Sequence, residues 1–207
     1  HGIPVVYHDD YLVVLDKPPG LLSVKGIGPD KIDCLAVRVA SAIEGARIVH
    51  RLDMDTSGVI VMARDADTHR ELSRQFQERE VEKTYIAEVG GVVQDDEGLI
   101  DIPIRKDMDN PPKQCVDNER GKPSQTYWSV LERKNDRTLL ELRPITGRSH
   151  QLRIHLCEIG HPILGDDLYA TEVLKVMSTR LMLHALTLTV THPATHETLT
   201  CRAERPF

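Results

Sequence analysis

Asp53 and Asp55 stand two residues apart in the stretch HRLDMDTSG (residues 50–58), with a histidine and an arginine just before them and two hydroxyl residues just after. Paired carboxylates at this spacing suit a divalent cation, or an attack on phosphorus by one of the two. A second acidic pair is available in GDD (165–167) to complete such a metal site. That chemistry needs an apolar strand leading directly into the first aspartate, and here His50 and Arg51 intrude. An arginine at this point would also compete with the cation. The ten histidines do not supply a metal site either: neither His150–His155 nor His192–His196 has supporting acids at zinc-protease spacing, and H-E-x-x-H is absent. The four cysteines are scattered without a C-x-x-C pair, which fits unpaired thiols in a reducing, cytoplasmic setting.

The elements around these residues must hold them in place. IPVVYHDDYLVVLDKPPG reads as two β-runs joined by a turn at Asp9–Asp10 and ended by Pro18, Pro19 and Gly20. Ile32 to Glu44 has helical composition, with Asp33 as its N-cap. Val59 to Met62 reads as a strand buried on both faces, preceded by a Thr-Ser-Gly turn. DADTHRELSRQFQERE is helical, with Leu72 and Phe76 on one face. KTYIAEV returns to a strand that puts Tyr85, Ala87 and Val89 on one side. SQTYWSVLE and TLLELRPI are further strands, and HQLRIHLCEIG is a short helix closed by Gly160. HALTLTVTH and ETLTCRA alternate apolar with polar residues and form an antiparallel hairpin with one buried face. The pattern is α+β, without the regular alternation of a doubly wound fold.

Charge leaves the partner open. The net charge of −6 speaks mildly against nucleic acid, yet between Arg133 and Arg153 six Lys or Arg face only two acids, Asp136 and Glu141. The longest fully apolar run, Val59 to Ala63, is far short of a membrane span, so no membrane partner is expected. The opening HGIPVVYHDD has neither the basic end nor the apolar core of a signal peptide.

Taken whole, HRLDMDTSG resembles the H-R-L-D-x-x-T-S-G signature of the RluA family of pseudouridine synthases and matches it at every fixed position. LDKPPGL resembles the family's K-P-x-G opening motif, and FQEREVEKTYIAEV its K-x-Y segment. PITGRSHQLRIHLCEIGHPILGDDLY is similar to its long C-terminal motif, which accounts for GDD without a metal, and LMLHAL to its L-x-x-H-A strand. No S4-type RNA-binding domain is recognised. The short length, RELSRQFQERE and PPKQ are most similar to the family's short member, which modifies loops of both 23S rRNA and tRNA.

The resemblance implies a pseudouridine synthase fold, with a mixed and largely antiparallel central sheet flanked by helices and loops. It implies one catalytic domain over residues 1–207, made of two sub-halves around one cleft, and an enzyme that works as a monomer without cofactor or metal. Its partner would be structured RNA, a 23S rRNA stem-loop, a tRNA stem-loop or both. Asp53 would be the essential carboxylate, Arg153 its counter-charge and Tyr85 the aromatic against the target base. A carboxylate withdrawn from water needs such a partner to stay an anion, and a base taken out of its stack needs a π-surface. His50, Arg51, Thr56, Arg148 and His150 would meet the RNA, Arg51 by filling the hole left by the extruded nucleotide. Arg148 and the helix start near Ser149 would meet a backbone phosphate through free N–H groups. Two rival readings remain beside this one. In the first, DMDTSG and GDD belong to a haloacid-dehalogenase-type, Mg²⁺-dependent phosphatase. In the second, the chain is a non-catalytic RNA-binding module, for which its 4% aromatic content offers few stacking surfaces.

Overall fold

The computed structural model describes residues 2–207. In chain order its elements begin with β1 (Val5–His8), β2 (Leu12–Lys17), α1 (Leu35–Ala40), β3 (Arg47–Ile48), β4 (Ser57–Ala63) and α2 (Ala66–Gln77). Next come β5 (Glu82–Gly90), β6 (Glu97–Asp101), β7 (Ile104–Lys106), β8 (Gln114–Val116), β9 (Gln125–Arg133) and β10 (Arg137–Pro144). The chain ends with α3 (Gln151–Glu158), α4 (Glu172–Val176), β11 (Leu183–Thr191) and β12 (Thr198–Arg202). These fall into two compact units, one built from residues up to Lys83 together with His184–Phe207, the other from Thr84–Leu183.

In the first unit β4 is the central strand, and all seven of its residues are buried, as the apolar run from Val59 to Ala63 requires. It pairs antiparallel with β2, from Leu12↔Ala63 to Lys17↔Gly58, and with the short β3. It pairs parallel with the start of β11, where His184 meets Ser57 and Ala185 meets Gly58. The Ser-Gly pair expected in a turn therefore lies inside the strand. Gly58 has φ +116°, and a Cβ there would sit 2.1 Å from the carbonyl oxygen of Ala185, so only glycine admits this approach. The β1–β2 turn forms as expected, because the Asp9 carboxylate accepts from the N–H groups of Tyr11 and Leu12. Helix α1 is shorter than expected and Asp33 does not cap it. Cys34 stands at the N-cap without a side-chain bond, while the Asp33 carboxylate takes the guanidinium of Arg38 instead. Helix α2 does have a side-chain cap: Asp65 accepts from the N–H groups of Asp67 and Thr68.

The second unit contains the antiparallel order β6–β9–β10–β5 and a separate two-stranded ribbon of β7 and β8. Its core gathers Ala87, Val89, Trp128, Leu140, Leu142, Leu152 and Leu156, with Tyr85 packed against it. The shared face of Tyr85, Ala87 and Val89 is as the alternation requires. Helix α3 ends as expected: Gly160 at φ +85° donates to Cys157 and His161 donates back to Leu156, the paired bonds of a glycine-terminated helix. The whole is α+β with a mixed, mostly antiparallel strand pattern.

Candidate active site

In the first unit, the segment that carries Asp53 is held at His50 by its ring and at Leu52, Asp53 and Met54 by the backbone. His50 accepts a hydrogen bond at Nε2 from the Val61 N–H (3.1 Å), and its ring stacks on Phe76 with centroids 4.4 Å apart. Burial, reinforced by the charge of Lys83, lowers the His50 pKa to about 3. The ring is therefore neutral, as the acceptor role at Nε2 demands. Ser23 donates its hydroxyl to the Leu52 carbonyl (2.7 Å) and accepts from the Leu52 N–H (3.1 Å). The carbonyl of Asp53 accepts from the Thr56 N–H at 3.2 Å, which closes a β-turn with Met54 and Asp55 at its corners. The Met54 carbonyl accepts from the Gly20 N–H and from the Lys17 ammonium, both at 2.9 Å.

Lys17 is the pivot of this arrangement. It ends β2 with no exposed surface, and its ammonium also donates to the carbonyls of Leu21 (2.7 Å) and Pro18 (2.9 Å). Its three protons are matched by carbonyls from the KPPGL loop and from the turn after Asp53, so the opening motif and the aspartate motif are joined through one buried cation. On this fixed backbone Asp53 is half-buried rather than buried, while Arg51 and Met54 are exposed beside it. Thr56, expected to meet RNA, is only 2% exposed and serves the turn. His50 likewise has its internal contacts with Val61 and Phe76.

In the second unit, α3 is not a surface helix. Residues 151–156 are all buried, and Arg153 is 3% exposed. Its guanidinium donates from Nε and Nη2 to the two oxygens of Asp166, at 2.9 and 2.6 Å, and from Nη2 to Asp167 at 3.1 Å. Asp166 has no exposed surface and also accepts from the N–H groups of Leu168 and Tyr169. The Arg153 guanidinium carbon lies 5.5 Å from the centre of the Tyr169 ring. The Tyr169 hydroxyl accepts from the Gln114 N–H and lies 2.8 Å from His150 Nδ1. His150 occupies the left-handed region, φ +54°, at the start of the helix.

Before the helix start, the Gln151 side chain folds back and accepts from the Arg148 N–H. The basic run from Arg133 to Arg153 is largely neutralised within the fold. Arg133 pairs with Asp96, Lys134 with Glu88, Arg137 with Asp136, Arg143 with Glu141 and Arg153 with Asp166. Among the described residues only Arg148 of the six makes no ion pair, and its Nε reaches the Pro123 carbonyl at 3.4 Å. His155 is enclosed between Thr126 and Ile102, and burial lowers its pKa, so it is a neutral core histidine.

Comparison with known proteins decides among the readings. Residues 11–158 match the model of the RNA pseudouridylate synthase family. The chain belongs to that family. It is 53% identical over 190 residues to the dual-specificity RNA pseudouridine synthase RluA of Yersinia pestis, covering 91% of this chain and 92% of that one. It is 48% identical to the Escherichia coli K12 protein of the same name, covering 98% and 93%. The human RNA pseudouridylate synthase domain containing 1 has a similar structure, with a TM-score of 0.85 at 28% identity over 100% of this chain and 84% of that one. Human domain containing 4 gives 0.78, also at 28% identity, over 98% and 88%.

As a pseudouridine synthase the protein is an isomerase, and the phosphatase reading falls. That reading needed GDD to hold a cation, whereas both carboxylate oxygens of Asp166 are taken by Arg153. The binding-module reading falls with the family assignment. Among the described residues no helix is long and apolar enough to cross a membrane. Sequence reasoning overlooked Lys17 and Ser23 as the residues that hold the Asp53 segment, and Asp166 and Tyr169 as those that hold Arg153. A lysine ending the apolar run LVVL was a signal for the first, since a charge in a buried strand needs a dedicated set of partners.

Proposed function

We propose that this enzyme converts uridine to pseudouridine in stem-loops of both 23S rRNA and the tRNA anticodon arm, with Asp53 as its essential carboxylate. The reaction breaks the bond from ribose C1′ to uracil N1, turns the base and rejoins it through C5. The C5 proton is lost and N1 gains one, so no electron or phosphate changes hands and the chain needs no cofactor or metal. Asp53 supplies the charge or nucleophile at the sugar and base, Tyr85 stacks on the extruded uracil, and Arg153 is the cation that keeps the reacting groups oriented. Arg51 takes the vacated place in the RNA stack, with His50 and Thr56 beneath it, and Arg148 and His150 serve the RNA backbone. Residues 1–207 act as one catalytic domain, as a monomer, in the cytoplasm, where the four free cysteines stay reduced.

The observation that carries this reading is the pinned turn after Asp53. Hydrogen bonds to the backbone of Leu52, Asp53 and Met54 fix the turn while Asp53 itself stays partly exposed. A carboxylate that must meet a flipped nucleotide needs that combination. The similarity to dual-specificity relatives along nearly the whole chain supports the pair of RNA targets.

The test is Asp53→Asn beside Asp55→Asn, assayed on a 23S rRNA and a tRNA stem-loop with EDTA present and the RNA kept folded by monovalent salt. Asp53→Asn should bind both RNAs and form no pseudouridine, whereas Asp55→Asn should keep most of its rate. Turnover by Asp53→Asn, with reversion to Asp excluded by mass spectrometry, would refute the assignment. Restoration by Mg²⁺ alone of activity lost in EDTA would refute the metal-free chemistry.

A further inference from the structure

The long motif around Arg153 contains a second set of residues that the reaction as described does not use. We infer that Asp166 and Tyr169, both in the stretch GDDLY, are positioning residues that hold the Arg153 guanidinium in one orientation for the reaction. The inference rests on the proposed part of Arg153 in pseudouridine formation.

An arginine side chain has four rotatable bonds, and a lone guanidinium in a cleft would sample many directions. Here two sides of it are fixed. Asp166 engages Nε and Nη2 together, which sets the plane of the group, and Tyr169 lies under the guanidinium carbon at 5.5 Å. Asp166 is itself immobile. It is wholly buried, and the N–H groups of Leu168 and Tyr169 bind the oxygen that faces Nη2. Tyr169 is fixed at its far end, where its hydroxyl meets the Gln114 N–H at 2.8 Å and His150 Nδ1 at 2.8 Å. Gly165, at φ +74°, starts this segment where a Cβ would lie 1.9 Å from the Arg180 carbonyl oxygen, so the segment's path is set as well.

The charges say what this arrangement is for. The Arg153 guanidinium already meets the carboxylates of Asp166 and Asp167, so much of its charge is offset within its own motif. Its value lies in hydrogen-bond donors with a set direction, which is lost if the group can turn. A structural ion pair alone would need neither the aromatic ring nor the two bonds that anchor that ring.

The test compares Arg153→Ala, Asp166→Asn and Tyr169→Phe with the unmodified protein. For each, the melting temperature, the dissociation constant for an RNA stem-loop and the single-turnover rate of the bound complex are measured. Asp166→Asn keeps the shape but loses the paired charged bonds. It should slow the bound complex by about 100-fold, the scale of a misplacement near 1 Å, with RNA affinity changed less than threefold. Tyr169→Phe keeps the ring and frees its far end, and should slow it by about tenfold with a melting temperature close to the parent's. If Asp166→Asn folds poorly, Tyr169→Phe still decides. A loss confined to the fraction of folded protein, with an unchanged rate per bound complex in Tyr169→Phe, would overturn the inference. Full activity in Arg153→Ala would remove the underlying reading itself and the inference with it. An inactive Arg153→Ala beside fully active Asp166→Asn and Tyr169→Phe would overturn the inference alone.

Discussion

Replacing Lys17 by methionine isolates the buried cation beneath the Asp53 turn. Methionine fills nearly the same volume and removes the bonds donated to Pro18, Leu21 and Met54. The three carbonyls are affected differently. Met54 keeps the Gly20 N–H, and Pro18, an exposed residue, can turn its carbonyl to water. Leu21 is 6% exposed, so its carbonyl is left without its ammonium in a buried place, at a cost of about 1–3 kcal/mol. Losing the tie between the KPPGL loop and the turn adds to this, and the relief of no longer burying an ammonium subtracts from it, for a net loss of about 2–4 kcal/mol. In a chain of this length that lowers the melting temperature by roughly 4–16 °C. The Gly20 bond still holds the turn, so the rate per folded molecule should fall by less than about tenfold. Thermal melts with and without RNA, read beside single-turnover assays, test both halves. A Lys17→Met protein as stable as the parent would refute the account of the cation as a structural clamp. A stable but inactive one would move Lys17 into the chemistry.

Two further outcomes follow from the same geometry. His50 has a folded pKa of about 3 against about 6.5 in an unfolded chain. As pH falls the unfolded chain takes up the proton first, so the His50 contribution is complete above pH about 6.5 and is lost progressively towards about 3. His50→Gln, with an amide oxygen in place of Nε2, should lose stability less steeply than the parent between pH 6.5 and 4 in urea titrations; parallel curves would contradict this. Arg148 is the one cation of the 133–153 run without an ion pair among the described residues, so Arg148→Ala should weaken all RNA substrates alike. It should also make the log–log salt slope of binding shallower by roughly 0.7–0.9, and an unchanged slope would take it out of the interface.

Period and composition alone determined the larger elements. The apolar run from Val59 to Met62 had to be a strand covered on both faces, and it forms the middle of the strand Ser57–Ala63. The alternation of Leu186, Leu188 and Val190 with threonines had to be a strand covered on one face. Capping was less legible. Asp33 and Asp65 both suit an N-cap, yet only Asp65 is one, because a nearby Arg38 offers the Asp33 carboxylate a competing ion pair. The reactive stretch HRLDMDTSG was readable as a unit because its residue types are contiguous. What holds it was not, since Lys17, Ser23 and Val61 reach it from separate segments that meet only when β2 pairs with β4. The basic run is the clearest case of a property that linear sequence cannot decide. Three of its partner acids, Asp96, Glu88 and Asp166, lie outside the run, with Glu88 46 residues from Lys134, so counting charges in a window sees the cations and misses much of the pairing. Electrostatic partners are set by distance in space. The sequence alone revealed a carboxylate chemistry, while the tertiary fold decided that Asp166 of GDD holds an arginine rather than a metal.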